Sequence, residues 1–199
     1  MKKILLASAL TVASASAFAS DGYCTDVGSV ADYSYSWNGT NYVLCELPAS
    51  ITTDVTLFNG IDLDESAPVL WALPGIVTVG DGYVQNTSYA AANHSVLTIE
   101  AGVNVIATAN NAALVIARGA KINAVGTASN PIVFSSADED FTGEGEWGGV
   151  ILSGYGVANE CTSGDTCLME GISSNYYFGF GDEPVDEDTT GLTAEEILA

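Results

Sequence analysis

Apolar and polar positions alternate with a period of two through the middle of the chain. Leu97/Ile99, Val103/Val105, Leu114/Ile116, Ile122/Ala124, Ile132/Phe134 and Val150/Leu152 each place two apolar side chains on one side of an extended segment. Successive side chains of a strand point to opposite faces, so each segment has one inward face. The segments beginning at Leu97, Leu114, Ile132 and Val150 follow one another at offsets of 17, 18 and 18 residues. Strands that return at this spacing with the same direction and phase do not form a hairpin ladder. Direct stacking makes them parallel, and each coil then buries the apolar face and satisfies the backbone groups of its neighbours. The pattern predicts an all-β fold, a parallel β-solenoid, with Leu97, Leu114, Ile132 and Val150 in one column. Gly102 and Gly119 should stack at corners that need positive φ. Leu114, Ala120, Gly126 and Ile132 also fall at six-residue intervals, which suits a left-handed hexapeptide coil, so spacing leaves handedness open.

Outside this repeat the pattern changes. Tyr33, Tyr35, Trp37, Tyr42 and Leu44 lie in short β-prone runs broken by Asn38-Gly39, a hairpin signal. Leu70 to Val79 is apolar and β-branched and ends at the turn Gly80-Asp81-Gly82. The division expected is a signal peptide at 1–19, a β-rich N-terminal cap at 20–95, β-helix coils at 96–158, and a disulfide loop with an acidic tail at 159–199. In the tail, Asp182, Glu183, Asp186, Glu187 and Asp188 read as a charged loop, and Thr193 with Glu196 as a capping box before one helical turn.

Lys2 and Lys3, a short apolar run and Ala17-Phe18-Ala19 have the form of a secretory signal, with cleavage expected after Ala19. No later segment is long and apolar enough for a membrane-spanning helix. The net charge is −21 from 25 acidic and 4 basic residues, and more negative still once Lys2 and Lys3 leave. Such a surface excludes phosphate-tracking nucleic-acid binding, disfavours anionic lipid and repels acidic polymers. The remaining cations, Arg118 and Lys121, read as groups at a corner and an outward strand position that relieve acidic repulsion. The chain is 48% hydrophobic, enough to bury a core. Four cysteines in an exported chain read as two disulfides, and proximity along the chain favours Cys24–Cys45 and Cys161–Cys167. A zinc site lacks CxxC spacing, and His94 is the sole histidine.

The runs Leu97-Thr-Ile-Glu-Ala-Gly, Leu114-Val-Ile-Ala-Arg-Gly-Ala-Lys-Ile, Gly126-Thr-Ala-Ser-Asn-Pro-Ile-Val-Phe-Ser-Ser and Gly145-Glu-Trp-Gly-Gly-Val-Ile-Leu, in that order, resemble a broad group of exported bacterial right-handed parallel β-helix proteins of the cell surface or medium. The resemblance covers roughly residues 70 to 180. It implies a right-handed coil and export, to the surface, medium or periplasm, and it carries over no catalytic residue. Members of the group continue with further coils after an acidic Asp/Gly-rich segment. The resemblance therefore implies an N-terminal portion of a longer member, with an open coil edge through which copies could self-associate.

Parallel β-helices host many polysaccharide lyases and hydrolases, and glycosidases need two placed carboxylates. Asp138, Glu139, Asp140, Glu144 and Glu146 cluster between two coils beside Trp147, which could stack on a sugar. The same residues also read as a solvated acidic loop with Trp147 covering the edge of the coil. For Ca²⁺, the runs 138–140 and 182–188 supply oxygens, and Gly179-Phe180-Gly181-Asp182 matches one turn of a glycine-aspartate repeat; no other cofactor is expected. No GxSxG elbow, dinucleotide fingerprint or phosphate loop occurs. The leading expectation is a non-enzymatic surface or secreted protein that binds a polysaccharide or another envelope or matrix partner through its loops, with Asp138, Asp140, Glu144, Glu146 and Trp147 as candidate ligand-binding residues. The alternatives are a polysaccharide-active enzyme using the same acidic residues, and a fragment without a function of its own.

Overall fold

The computed structural model describes residues 24, 27–62, 67–84, 90–138, 145–156, 166–169 and 177–180. The signal segment 1–19, Cys161, Asp140, Glu144, the acidic run 182–188 and the helical turn 194–198 lie outside the described residues.

The chain is an all-β parallel solenoid. Each coil passes through three strands, and each strand joins one of three parallel ladders. The first coil holds β2 (Thr40–Glu46), β3 (Ser50–Ile51) and β4 (Val55–Leu57). The second holds β6 (Ala67–Leu73), β7 (Ile76–Val79) and β8 (Val96–Ile99). The third holds β9 (Asn104–Ala107), β10 (Ala113–Ile116) and β11 (Lys121–Ala124), and the fourth begins with β12 (Val133–Ser136) and β13 (Val150–Leu152). Stacking produces sheet A (β2-β6-β9-β12), sheet B (β3-β7-β10-β13) and sheet C (β4-β8-β11). The parallel stack thus reaches back to residue 40, well inside the segment read as a cap. Capping itself falls to β1 (Ser29–Trp37), antiparallel to β2 across the two-residue turn Asn38-Gly39, where φ is 51° and 75°. The short β5 (Ile61–Asp62) pairs antiparallel with β6, and β14 (Thr166–Leu168) forms a hairpin with β15 (Tyr177–Phe180).

The register differs from the spacing argument. Leu97 pairs with Val55 and Ile122 in sheet C, Leu114 with Val77 and Val150 in sheet B, and Phe134 with Val105 in sheet A. Leu97, Leu114 and Ile132 therefore do not share a column. The true repeat is one coil: 25 residues from Leu97 to Ile122, 29 from Asn104 to Val133 and 36 from Leu114 to Val150. The first two offsets, 17 and 18, come from counting every second strand around the triangle, from β8 to β10 and from β10 to β12, whereas the last 18 joins the consecutive strands β12 and β13 across the long loop between them. Gly102 and Gly119 have the expected positive φ, 90° and 89°, but occupy different corners, the first between β8 and β9 and the second between β10 and β11.

Inside the coil lies one continuous core, with Val43, Trp71, Val105 and Phe134 from sheet A, Val79 and Ile116 from sheet B, and Leu57 and Ile99 from sheet C. Sheet A is also covered on its outer face, where Trp37, Leu44, Leu70, Ala72 and Ile106 form a second buried cluster with Tyr35 and Tyr42. This double burial explains the unbroken apolar run Val69-Leu-Trp-Ala-Leu73: a strand packed on both faces has no polar side to show. At the other end of the stack, Val150 and Leu152 of β13 are 39% and 67% exposed.

Cys24 and Cys45 form a disulfide with Cα atoms 5.2 Å apart, tying the segment before β1 to β2. Cys167 is disulfide-bonded as well; its expected partner, Cys161, is among the undescribed residues. Closing a loop of 21 residues' separation restricts the unfolded chain by about 3 kcal/mol. The double variant Cys24→Ala/Cys45→Ala should lose about that much in urea unfolding, with the second disulfide left intact.

Candidate functional site

The acidic loop leaves β12 at Ala137 and returns at Glu146 before β13, at the corner from sheet A to sheet B. Both of its ends are pinned to the coil below: Ala137 N donates to Ala107 O at 2.8 Å, and Gly148 N to Ala112 O at 2.7 Å. Just before the first pin sits Ser136, the last residue of β12, buried at 7% exposure. Its hydroxyl donates to the Glu146 carboxylate and accepts from the Asp138 backbone N–H at 3.3 Å. Two of the candidate residues, Asp138 and Glu146, therefore meet at one serine. Asp140 and Glu144 lie outside the described residues. Trp147 is half-buried and packs against the core inside the coil, so much of its ring covers the edge of the stack.

Sequence reasoning passed over Ser136. It stands in Ser135-Ser136-Ala137-Asp138, where nothing separates a solvent serine from one that clasps a loop. Only the inward phase of β12 marks it, since Phe134 points into the core and Ser136 stands two residues on. Ser136→Ala removes a donor from Glu146 and an acceptor from Asp138. It should cost about 1–2 kcal/mol in urea unfolding, whereas Glu146→Gln keeps an acceptor for the same hydroxyl and should cost less.

A second polar centre lies at the corner from sheet B to sheet C. Arg118 is fully buried, which corrects its reading as a solvated counter-charge; Lys121 does stand exposed on β11. The Arg118 guanidinium donates from Nε to Gly82 O at 2.6 Å and from Nη2 to Val84 O at 2.8 Å. Its Cζ lies 5.3 Å from the centre of the Tyr155 ring. Burial lowers its pKa below the ordinary arginine value, and Tyr155 opposes that shift. A Cβ on Gly82 would collide with the Arg118 backbone carbonyl, so the strand-to-loop crossing there needs glycine. Around the same corner, His94 Nδ1 lies 3.1 Å from Gly119 O, and Asn93 donates from N to Asp81 at 2.6 Å and from Nδ2 to Thr52 O at 2.8 Å. Hydrogen bonds thus link three coils at one edge, and a sequence clue to Arg118 existed: it follows the apolar run Ala112 to Ala117.

Among the described residues no group of three or more His, Cys, Asp or Glu could hold a metal ion. No helix among them is long and apolar enough to cross a membrane.

A search of curated proteins finds no match to the chain, and neither does a search of solved structures. A family model does match: a pectate-lyase-like β-helix domain, over residues 76–191. The match opens at β7, takes in sheets A, B and C from there onward, and includes both polar corners. It spans more than half of the 199 residues and agrees with the three-sheet parallel coil, so the chain belongs to the pectate-lyase-like β-helix domain family.

Proposed function

We propose that this chain is a non-enzymatic polysaccharide-binding protein that works outside the cell, displaying loops from a rigid β-helix. The observation that carries this reading is the arrangement at Ser136. Within a polysaccharide-related β-helix, the backbone N–H of Asp138 and the carboxylate of Glu146 meet at one serine, and the Glu146 carboxylate is taken up by its hydroxyl. A general acid or base must reach a substrate proton. A carboxylate held by a buried hydroxyl is placed instead to close the loop. Export is supported by the N-terminal signal pattern and by cysteines paired as disulfides, which persist in oxidising compartments.

The rival reading, a polysaccharide lyase or hydrolase using the acidic loop, is favoured by the family's description. Incubating the full chain with soluble neutral and acidic polysaccharides separates the two. Binding without release of new reducing ends or unsaturated products is expected. Turnover that disappears in Asp138→Asn or Glu146→Gln would replace the binding reading with the enzymatic one.

A further inference from the structure

We propose that the open end of the stack is an interface between two copies of this chain, which join β13 to β13 about a two-fold axis and close into a dimer. Among the described residues, β12, β13 and β11 are the last strands of sheets A, B and C. The ladder between β10 and β13 shows which backbone groups of β13 face outward. Leu114 N donates to Gly149 O at 3.0 Å and Ser153 N to Ile116 O at 2.9 Å, in the register Leu114 with Val150 and Ile116 with Leu152. Gly149, Ile151 and Ser153 therefore turn their backbone groups toward β10, and Val150 and Leu152 turn theirs to the open side. Val150 and Leu152 also continue the core positions of Leu114 and Ile116, yet they are 39% and 67% exposed. Ile122 of β11 and Phe134 of β12 are only partly buried beside them. An apolar core end and an unpaired strand edge thus coincide, the combination that recruits another chain.

This edge is complementary to itself. An antiparallel pairing centred on Ile151 sets Val150 opposite Leu152 of the second copy. Both residues of that pair turn N–H and C=O outward, so they exchange both hydrogen bonds as such a pair requires, and the two-fold repeats the exchange. The inward faces of the two copies of sheet B then lie on one side, where Val150 of one copy packs against Leu152 of the other. Charge agrees with this contact. The chain carries −21, yet β11, β12 and β13 hold no acidic residue and one base, Lys121. The axis also reverses the strand direction. The corner from sheet A to sheet B of one copy, with Asp138 and Glu146, therefore faces the corner from sheet B to sheet C of the other, where Lys121 stands exposed, and opposite charges meet. The first coil offers no such edge: β1 lies antiparallel against β2, and β3 and β4 are two and three residues long. Head-to-tail growth needs that end, so the assembly closes at two copies.

Sedimentation velocity of the full chain tests this, and a dimer is expected. Leu152→Pro removes an N–H that faces the second copy and none that faces β10. It should raise the dimer dissociation constant about ten- to a hundredfold and leave the far-UV circular dichroism unchanged. Leu152→Lys, which puts a charge on the edge, should give a monomer. Should both variants fail to fold, Ile151→Cys takes their place. Ile151 meets its own copy across the axis, with Cβ atoms about 4.5–5.5 Å apart, so oxidation should link two chains on a non-reducing gel. Val84→Cys, at a residue 50% exposed on another corner, should not link them. A monomer at every concentration, species that keep growing with concentration, or equal cross-linking of Ile151→Cys and Val84→Cys would each overturn the two-fold interface. A monomer whose Val150 and Leu152 amides resist hydrogen exchange would overturn it as well, and would assign the edge to the remainder of this chain.

Discussion

Arg118→Ala should destabilise the protein by about 3–5 kcal/mol, since each hydrogen bond to a charged group contributes about 1.5–3 kcal/mol and the guanidinium makes two to the 82–84 segment. The identity of the acceptors fixes the size of the effect. A buried ion pair can sometimes be exchanged for apolar groups with little loss, because both partners leave. Here the partners are the backbone carbonyls of Gly82 and Val84, which no side-chain substitution removes. Arg118→Met, which keeps most of the buried stem, should therefore lose nearly as much as Arg118→Ala. Arg118→Lys has a charge but no fork, and cannot serve both carbonyls in the same geometry, so it should fall between. Urea unfolding followed by far-UV circular dichroism measures the loss. Amide hydrogen exchange adds a local readout: the Tyr177 N–H, bonded to Tyr83 O, should exchange faster in every variant that frees the 82–84 segment. Wild-type stability in Arg118→Met would show that the two hydrogen bonds contribute little.

Arg118 also marks where sequence reasoning stops. Period-two alternation was enough to find the strands from β8 to β13, and Asn38-Gly39 was enough to find the hairpin. Both are local signals, carried within a few residues. Which sheet a strand joins is not local. Leu97/Ile99 in sheet C and Leu114/Ile116 in sheet B alternate in the same way, since every sheet of the triangle has its inward face on the same core. The first coil was hidden for a further reason: β3 and β4 are two and three residues long, too short to display a period. Coil length could not correct the register, because excursions such as 80–95 and 137–149 lengthen individual coils. At the acidic loop, composition pointed to the carboxylates, but the residue that organises the described pair, Ser136, has no signature of its own. A charged residue closing an apolar run, as Arg118 does, is the kind of local conflict that favours a buried polar role over a solvated one.

Trp71→Ala should cost about 3–5 kcal/mol, the range for truncating a fully buried large aromatic, and a domain of ordinary stability has only about 5–15 kcal/mol in total. Trp71 is fully buried at the centre of sheet A, paired with Cys45 of the first coil and Val105 of the third, and its indole N–H donates to Phe58 O at 3.2 Å. Truncation therefore opens a cavity that touches three successive coils and removes one donor from Phe58 O. Trp71→Phe should recover most of the packing but not the hydrogen bond, leaving a deficit of about 1–2 kcal/mol. In a solenoid, stability is close to a sum of coil terms and contacts between neighbours, so a defect in the second coil should also divide the stack. Hydrogen exchange is expected to show β2 and β4 of the first coil losing protection before β9 and β10 of the third, where wild type unfolds them together. If Trp71→Ala instead lowers protection equally in all four strands, the coils act as one cooperative unit and the nearest-neighbour description is wrong for this protein.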